Sequence, residues 1–375
     1  MASTVRHVFN SSGFTGPGQS KTGPVIDQAI FGHVLTAGTG QASARQAVLT
    51  AGGKEETGRF KFAGVITSSV NKVCASGMKA IMLGAGLLRD GESKAVVVGG
   101  FESMSNAPFL LPNMRMGTGY GHVQALDSVM LDGLTDAYDK IPMGLCAEKT
   151  ARDFGITREE SDAFALESYK RALDAHKLGL FKELVPVSVT VKGKTSVVSG
   201  DEELSRFQPD KAKSLKPAFA ADGTITVFNA SKLNDGACAM VLTTGAYAAK
   251  FGLKPVARLL GWGDAEAAPI DFPTAPLLAI PVALARAGKR MEDIDLFELN
   301  EAFSTVCIAA MRKGISHDKI NVLGGAVALG HPLGCSGARI VATLISALQC
   351  KNKKLGVAAI CNGGGGASSV VIELL

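Results

Sequence analysis

Cys74-Ala75-Ser76-Gly77-Met78-Lys79 and Gly334-Cys335-Ser336-Gly337-Ala338-Arg339 spell one pattern twice in a chain of 375 residues. Each is a tight Ser-Gly turn opening an apolar helix, Ala80 to Leu88 in the first copy and Ile340 to Leu348 in the second. A hydrophobic strand follows each helix: Lys94-Ala95-Val96-Val97-Val98, then Leu355-Gly356-Val357-Ala358-Ala359-Ile360. Each strand runs into glycines, Gly99-Gly100 and Gly363 to Gly366. Strand runs without polar alternation predict sheets buried on both faces, between helix layers. The fold class is α/β, in two related halves.

Composition agrees. Hydrophobic residues make up 46%, aromatics only 6%, and there are 44 glycines, the profile of an α/β enzyme rich in tight turns. No uninterrupted apolar run approaches the ~20 residues of a membrane-spanning helix, so no membrane association is expected. The net charge of +5 is mild and shows no basic stripe interleaved with aromatics, which argues against nucleic acid. It suits a polyanionic small molecule, and equally an ordinary solubilising surface. Seven cysteines without a CxxC pair argue against a disulfide framework and a zinc site, and no metal is expected. Cys238 and Cys307 read as small core residues. Met1 to Phe14 carries no clear transit or secretory signal, and the C-terminal Leu375 ends no peroxisomal tripeptide.

Between the halves, from Ala107 to Ala230, the character changes. The stretch begins rich in proline, glycine and methionine, continues as a charged helix from Arg158 to His176, and ends in a polar segment from Lys192 to Lys216. Asn229 to Gly236 then leads back into the first half.

Three segments carry chemistry. Cys74 is expected where a strand turns into a helix, where the helix dipole and free N–H groups favour a thiolate. A free thiol is mostly protonated at neutral pH, so it needs a base. Taken alone, Cys74 reads equally as an inert buried cysteine. His331, between Gly330 and Pro332, lies in a segment that cannot continue a helix and outside any apolar pattern, which favours a functional imidazole. Cys361 ends an apolar strand before four glycines that let N–H groups approach a developing oxyanion. Asn300-Glu301-Ala302-Phe303 adds an amide able to orient a water or carbonyl, on a stretch, Glu298 to Ala310, that reads as helical. Its alternative reading is an N-cap asparagine and a core phenylalanine. Two glycine-bearing segments are set aside. Gly16 to Thr22 lacks a P-loop's strand and its glycine before lysine, and Gly117 to Gly121 is a loop rather than a dinucleotide fingerprint. Lys211, Lys213 and Lys216 read as a solvated face before they read as phosphate contacts.

With Asn71-Lys72-Val73-Cys74-Ala75-Ser76-Gly77, Gly99-Gly100-Phe101-Glu102-Ser103-Met104-Ser105, Asn300 to Phe303, Gly330 to Gly334 and Cys361 to Gly366 in place, the chain resembles the thiolase family from Ile26 to Leu375. Details look most like the mitochondrial members of its acetoacetyl-CoA branch. The resemblance implies a five-layered α-β-α-β-α thiolase fold with an inserted loop domain. Residues 1–106, completed by 231–255, form the N-terminal half, 107–230 the loop domain over coenzyme A, and 256–375 the C-terminal half. It implies Cys74 as the acylated nucleophile, His331 as its base and Cys361 as the acid/base thiol. Asn300 would hold a water, and the Gly363 N–H with that of Cys74 would form an oxyanion hole. Ser231, Phe303 and Met143 would line the coenzyme A and substrate site. Acetyl-CoA, acetoacetyl-CoA and coenzyme A are the implied small-molecule partners, with no covalently bound cofactor. A homodimer or homotetramer is implied, in the mitochondrion or, alternatively, the cytoplasm. The implied role is ketone-body and lipid metabolism.

The chain departs from the family pattern in several places. It has no counterpart, before Ile26, of the family's opening strand, Arg-Thr-Pro turn and helix. Either Met1 to Pro24 substitutes irregularly, or apolar surface and unpaired backbone are left exposed. Ile141-Pro142-Met143-Gly144 carries proline where relatives have histidine, and Gly53 to Gly64 reads as an insertion. Leu204 stands at the expected potassium-site tyrosine, which argues against potassium activation. The function expected is acetyl-CoA C-acetyltransferase. The alternatives are a thiolase of broader chain length and a catalytically impaired acyl-CoA-binding paralogue.

Overall fold

The structure is a computed structural model that describes residues 2–17 and 23–375. Gly18 to Thr22, most of the segment weighed as a P-loop, lies outside the described residues. The chain opens with α1 (Ala2–Ser12), β1 (Gln28–Gly32), α2 (Ser43–Gly52), β2 (Ile66–Val70), α3 (Ser76–Arg89) and β3 (Ala95–Ser103). A long excursion follows, with a small hairpin of β4 (Phe109–Leu110) and β5 (Leu126–Asp127) and the helices α4 (Met143–Asp153) and α5 (Arg158–Lys177). It continues through the hairpin of β6 (Val187–Val191) and β7 (Lys194–Val198) to α6 (Glu202–Ser205). β8 (Asp235–Thr243) and α7 (Gly245–Lys250) return to the body. The rest comprises β9 (Ala257–Glu266), α8 (Pro276–Ala287), β10 (Leu296–Leu299), α9 (Ser304–Arg312), α10 (Ala326–Leu329), α11 (Leu333–Cys350), β11 (Leu355–Asn362) and β12 (Gly366–Leu374).

Two four-stranded sheets result, in the orders β2-β1-β3-β8 and β10-β11-β12-β9. β1 runs parallel to β2 and β3, β8 antiparallel to β3; likewise β10 runs parallel to β11 and β12 antiparallel to it. α3 and α11 lie between the sheets, and their apolar residues form one core with both. A second core joins the far face of the second sheet to α8 and α9, and a third joins the far face of the first to α1 and α2. These are five layers, α-β-α-β-α. α11 is long and apolar because it is buried between two sheets.

The repeated Ser-Gly turns explain how α3 and α11 meet. A Cβ on Gly77 would stand 2.8 Å from the Ala338 nitrogen, and one on Gly337 would stand 2.5 Å from that of Met78. Only hydrogen fits at either position, so the two helix N-termini touch through backbone. β3 continues through Gly99-Gly100 to Ser103, beyond the stretch expected from its apolar run. Those glycines let neighbouring chain pass over the strand, since a Cβ on Gly100 would lie 1.9 Å from the Gly334 carbonyl oxygen.

The opening segment supplies a helix, α1, in the outer layer but no strand for the sheet. Val5 and Phe14 are buried in the third core, and Arg6 donates through Nε to the Ala51 carbonyl and through Nη2 to that of Thr50, at the end of α2. The sheet edge itself stays open. β9 covers the outer edge of β12, while among the described residues no strand lies outside β8. A half-open trough of about 1480 Å³ runs there, lined by Phe14, Ala85, Met240, Leu259, Trp262 and Val341 among others. The Gly53–Gly64 insertion forms an exposed excursion closed by a Lys54–Phe60 bridge.

Gly77→Ala and Gly337→Ala should each lower stability by about 1–3 kcal/mol through overpacking, as read by denaturant unfolding. Gly86→Ala, on α3 with nothing within 4 Å of its added Cβ, should be neutral or stabilising by up to about 1 kcal/mol.

Candidate active site

Cys74 sits in a strained elbow. β2 ends at Val70 and α3 starts at Ser76, and between them Val73 adopts a φ of 46°, a left-handed conformation costly for a β-branched residue. Short-range bonds hold it: Val73 N donates to Asn71 Oδ1 at 2.9 Å, and Ser76 Oγ accepts from Lys72 N at 2.8 Å while donating to the Val73 carbonyl at 2.6 Å. A longer clamp joins the elbow to the other half. Lys72 Nζ donates to Asp264 Oδ1 at 2.8 Å and Lys79 Nζ to Oδ2 at 2.6 Å, while Ser368 Oγ donates to Asp264 at 2.6 Å. Burial raises the Asp264 carboxyl, but these three donors outweigh it and hold it at about 2.

The Cys74 sulfur faces the tetraglycine turn. The backbone amides of Gly363 and of Cys74 itself lie toward it. Gly363 closes β11, and positive φ values of 89° and 93° at Gly364 and Gly365 turn the chain into β12. A Cβ on Gly363 would meet Met143 and Val73 side-chain carbons, each 3.6 Å away, which places Met143 against the nucleophile turn. Burial pushes the Cys74 thiol up to about 12, against the pull of the two amides, and Glu102 adds to the rise. Cys361, fully buried, is raised by burial and then by its nearness to Cys74.

His331 is neutral and its tautomer is set. Burial, followed by the Arg339 charge, lowers the imidazole to about 3. Ser336 Oγ lies 2.6 Å from His331 Nδ1 and 2.9 Å from the Pro332 carbonyl. The hydroxyl has one proton, which the carbonyl takes, so Ser336 accepts from Nδ1–H and Nε2 keeps its lone pair. Asn300 Nδ2 stands 3.5 Å from that Nε2, and its own Oδ1 is buried with no protein donor.

Asn300 and Phe303 do not lie on a helix, contrary to the periodicity. Leu296–Leu299 is a fully buried strand paired with β11, Asn300 ends it, and Phe303 is the backbone residue before α9. The buried apolar run satisfies both readings, and sheet pairing decides. Residues 229–232 run alongside: Ser231 N donates to the Ala302 carbonyl at 3.1 Å, Ala230 bridges Phe303, and His331 N donates to the Lys232 carbonyl at 2.9 Å. Met143, Cys361, Phe272 and Ala302 form one apolar cluster against which Phe303 packs. All eight residues singled out thus fall in one connected region. Sequence reasoning missed three contributors. Ser336 was visible as the repeat partner of Ser76, and the two hydroxyls do matching work. Glu102, accepting from the amides of Val34, Leu35 and Gly334, stood inside a quoted motif without a role of its own, and Asp264 gave no signal.

Residues 22–246 match the family model described as thiolase, N-terminal domain, and residues 253–374 that of the thiolase C-terminal domain. A probable acetyl-CoA acetyltransferase of Dictyostelium discoideum is 52% identical over 353 residues, 93% of this chain and 83% of that protein. A cytosolic acetyl-CoA acetyltransferase of Gibberella zeae is 50% identical over 93% of this chain and 87% of its own length. Among solved structures, the Acat5 thiolase from Ascaris suum in complex with coenzyme A aligns at a TM-score of 0.88 and 44% identity, over all of this chain and 92% of that one. The Bacillus anthracis acetyl-CoA acetyltransferase aligns at 0.91 and 35%, with the same coverage.

Ser336→Ala should slow alkylation of Cys74 by iodoacetamide by roughly 10- to 100-fold, short of the 10²–10⁴ of losing a general base outright. Asp264→Asn should cost about 1–2 kcal/mol at neutral pH, after discounting for solvent screening. A depressed carboxyl contributes above its ordinary 3.8 and loses that contribution as pH falls toward about 2, so acid unfolding curves of wild type and variant should converge there.

Proposed function

Because the chain belongs to the thiolase family, we propose that it is an acetyl-CoA C-acetyltransferase that cleaves acetoacetyl-CoA reversibly through an acetyl-Cys74 intermediate. The observation that carries this reading is the meeting of two buried cysteine segments at one turn: a Cβ on Gly363, next but one to Cys361, would lie 3.6 Å from Val73, beside Cys74, and 3.6 Å from Met143, which packs with Cys361.

In cleavage, the Cys74 sulfur attacks the 3-oxo carbon of acetoacetyl-CoA as His331 Nε2 takes its proton. The bond between carbons 2 and 3 breaks, and the electron pair leaves with the acetyl-CoA carbanion, which Cys361 protonates. Coenzyme A then attacks acetyl-Cys74, yielding a second acetyl-CoA and restoring the thiol. The N–H groups of Gly363 and Cys74 stabilise the tetrahedral oxyanion, and Asn300 with His331 stabilises the enolate oxygen. Condensation runs the same steps backward, with Cys361 abstracting the α-proton.

Ser231, Phe303 and Met143 line the substrate side. We assign 107–230 to the cover over coenzyme A, between halves made of 1–106 with 231–255 and of 256–375. Assembly as a homodimer or homotetramer belongs to the same proposal, favoured by the exposed outer strand β2 with Ile66 at its start. The relatives give no support for a mitochondrial compartment or for ketone-body metabolism, and one is named cytosolic. We therefore adopt the cytoplasmic alternative.

Incubation with acetyl-CoA, acid quenching and peptide mass spectrometry should find an acetyl group on Cys74, absent in His331→Ala. Cys361→Ala should keep that acetyl group while losing exchange of the acetyl-CoA α-protons with solvent by about 100-fold or more. A folded protein left unacetylated would overturn the enzyme reading in favour of acyl-CoA binding. Faster thiolysis of longer 3-oxoacyl-CoA substrates would replace it with the broader thiolase.

A further inference from the structure

Lys232 follows Ser231 and turns its charge inward. Its Nζ donates to the Ala230 carbonyl at 2.8 Å and the Val327 carbonyl at 3.2 Å, with the Phe228 carbonyl at 3.5 Å. The Tyr169 ring covers the same nitrogen, its centroid 5.4 Å away. An ammonium has three donors, and here each meets a carbonyl oxygen, so burial leaves none unmatched. Carbonyls replacing a hydration shell, with an aromatic face above, are the surroundings that suit a compact monovalent cation. Burial lowers the ammonium to about 8 while Glu203 and Glu301 resist, so it stays mostly charged at neutral pH.

These residues do not fit a bound potassium ion. The carbonyls are already engaged by the ammonium. Leu204, where a potassium-site tyrosine was expected, is buried in the same cluster with Tyr169, Phe228 and Val327 and offers only carbon.

The cage joins two segments of the site. Phe228 and Ala230 lead into Ser231, which pairs with Ala302 and so abuts Phe303. Val327 lies on α10, which Gly330 and His331 follow directly, and the Lys232 carbonyl accepts from His331 N at 2.9 Å. We propose that Lys232 is a built-in monovalent cation, a positioning residue that fastens the Ser231 segment to the His331 segment and dispenses with a bound potassium ion. This rests on the roles given above to Ser231 and His331.

The test compares wild type, Lys232→Ala and Lys232→Met in potassium chloride and in choline chloride at equal ionic strength. Cys74 alkylation by iodoacetamide and the melting temperature are the readouts, and neither requires acetyl transfer. Wild type should react at the same rate in both salts, within about twofold, because its cation is tethered. Lys232→Ala should lose about tenfold in choline and recover at least about fivefold in potassium, with a melting rise of roughly 2 °C that wild type lacks. Lys232→Met fills the space with an uncharged chain and should lose rate in every salt. Potassium activation of wild type, a Lys232→Ala rate in choline equal to wild type, or a loss that no cation restores would each overturn the proposal. If Lys232→Ala does not fold, the wild-type salt comparison and the Lys232→Met rate decide. A wild type that alkylates as expected but takes no acetyl group would count against the acetyltransferase reading alone.

Discussion

Everything in the site depends on two helix N-termini touching through bare backbone. Gly77 and Gly337 leave no room for a Cβ at the contact between α3 and α11, and Gly100 lets the Gly334 carbonyl pass over β3. That contact brings the Cys74 elbow of one half against the His331 turn of the other. The two sheets then set the remaining distances, because Cys361 lies at the end of a strand that packs on the same central layer and Gly363 directly follows that strand. The two hydroxyls of the repeated turns finish the arrangement. Ser76 ties down the Val73 elbow, and Ser336 turns the imidazole so that its free nitrogen faces away from its own helix.

Burial decides the charge state of the reacting groups. Both thiols are pushed up and the imidazole down, so the resting site is neutral and apolar. The charges that remain nearby are spent on geometry. Asp264 with Lys72 and Lys79 spans the halves, Glu102 gathers three amides beside Gly334, and Lys232 fills a ring of carbonyls. In each case a buried or half-buried charge is matched by several hydrogen bonds, the condition under which burial is tolerable.

The two halves share a plan but not a boundary. The second sheet has β9 outside β12, and β12 is buried nearly throughout; the first has the trough outside β8, whose residues are mostly half-buried. α1 covers the face of the first sheet, where a helix can replace a helix, but it cannot replace a strand, whose backbone groups alone match the edge of β8. The distortion stays local. The trough lies along the β8 edge, while the Cys74 elbow and the His331 segment are held by hydrogen bonds of their own.

By itself the sequence determined the local chemistry: which side chains sit beside glycines, where turns open helices, and that two halves repeat one pattern. Such features depend on residues a few positions apart, and steric rules read them directly. Short apolar segments were legible only in part. Leu296–Leu299 satisfies helix and strand alike, and pairing with β11 settles it as a strand that carries Asn300 into the site. Distant partners were not legible at all. The Lys72–Asp264 bond joins residues 192 positions apart, and the carbonyls around Lys232 belong to a backbone that any sequence supplies. Only the tertiary structure decided those, because a through-space contact between separated segments leaves no periodicity or spacing in the chain that makes it.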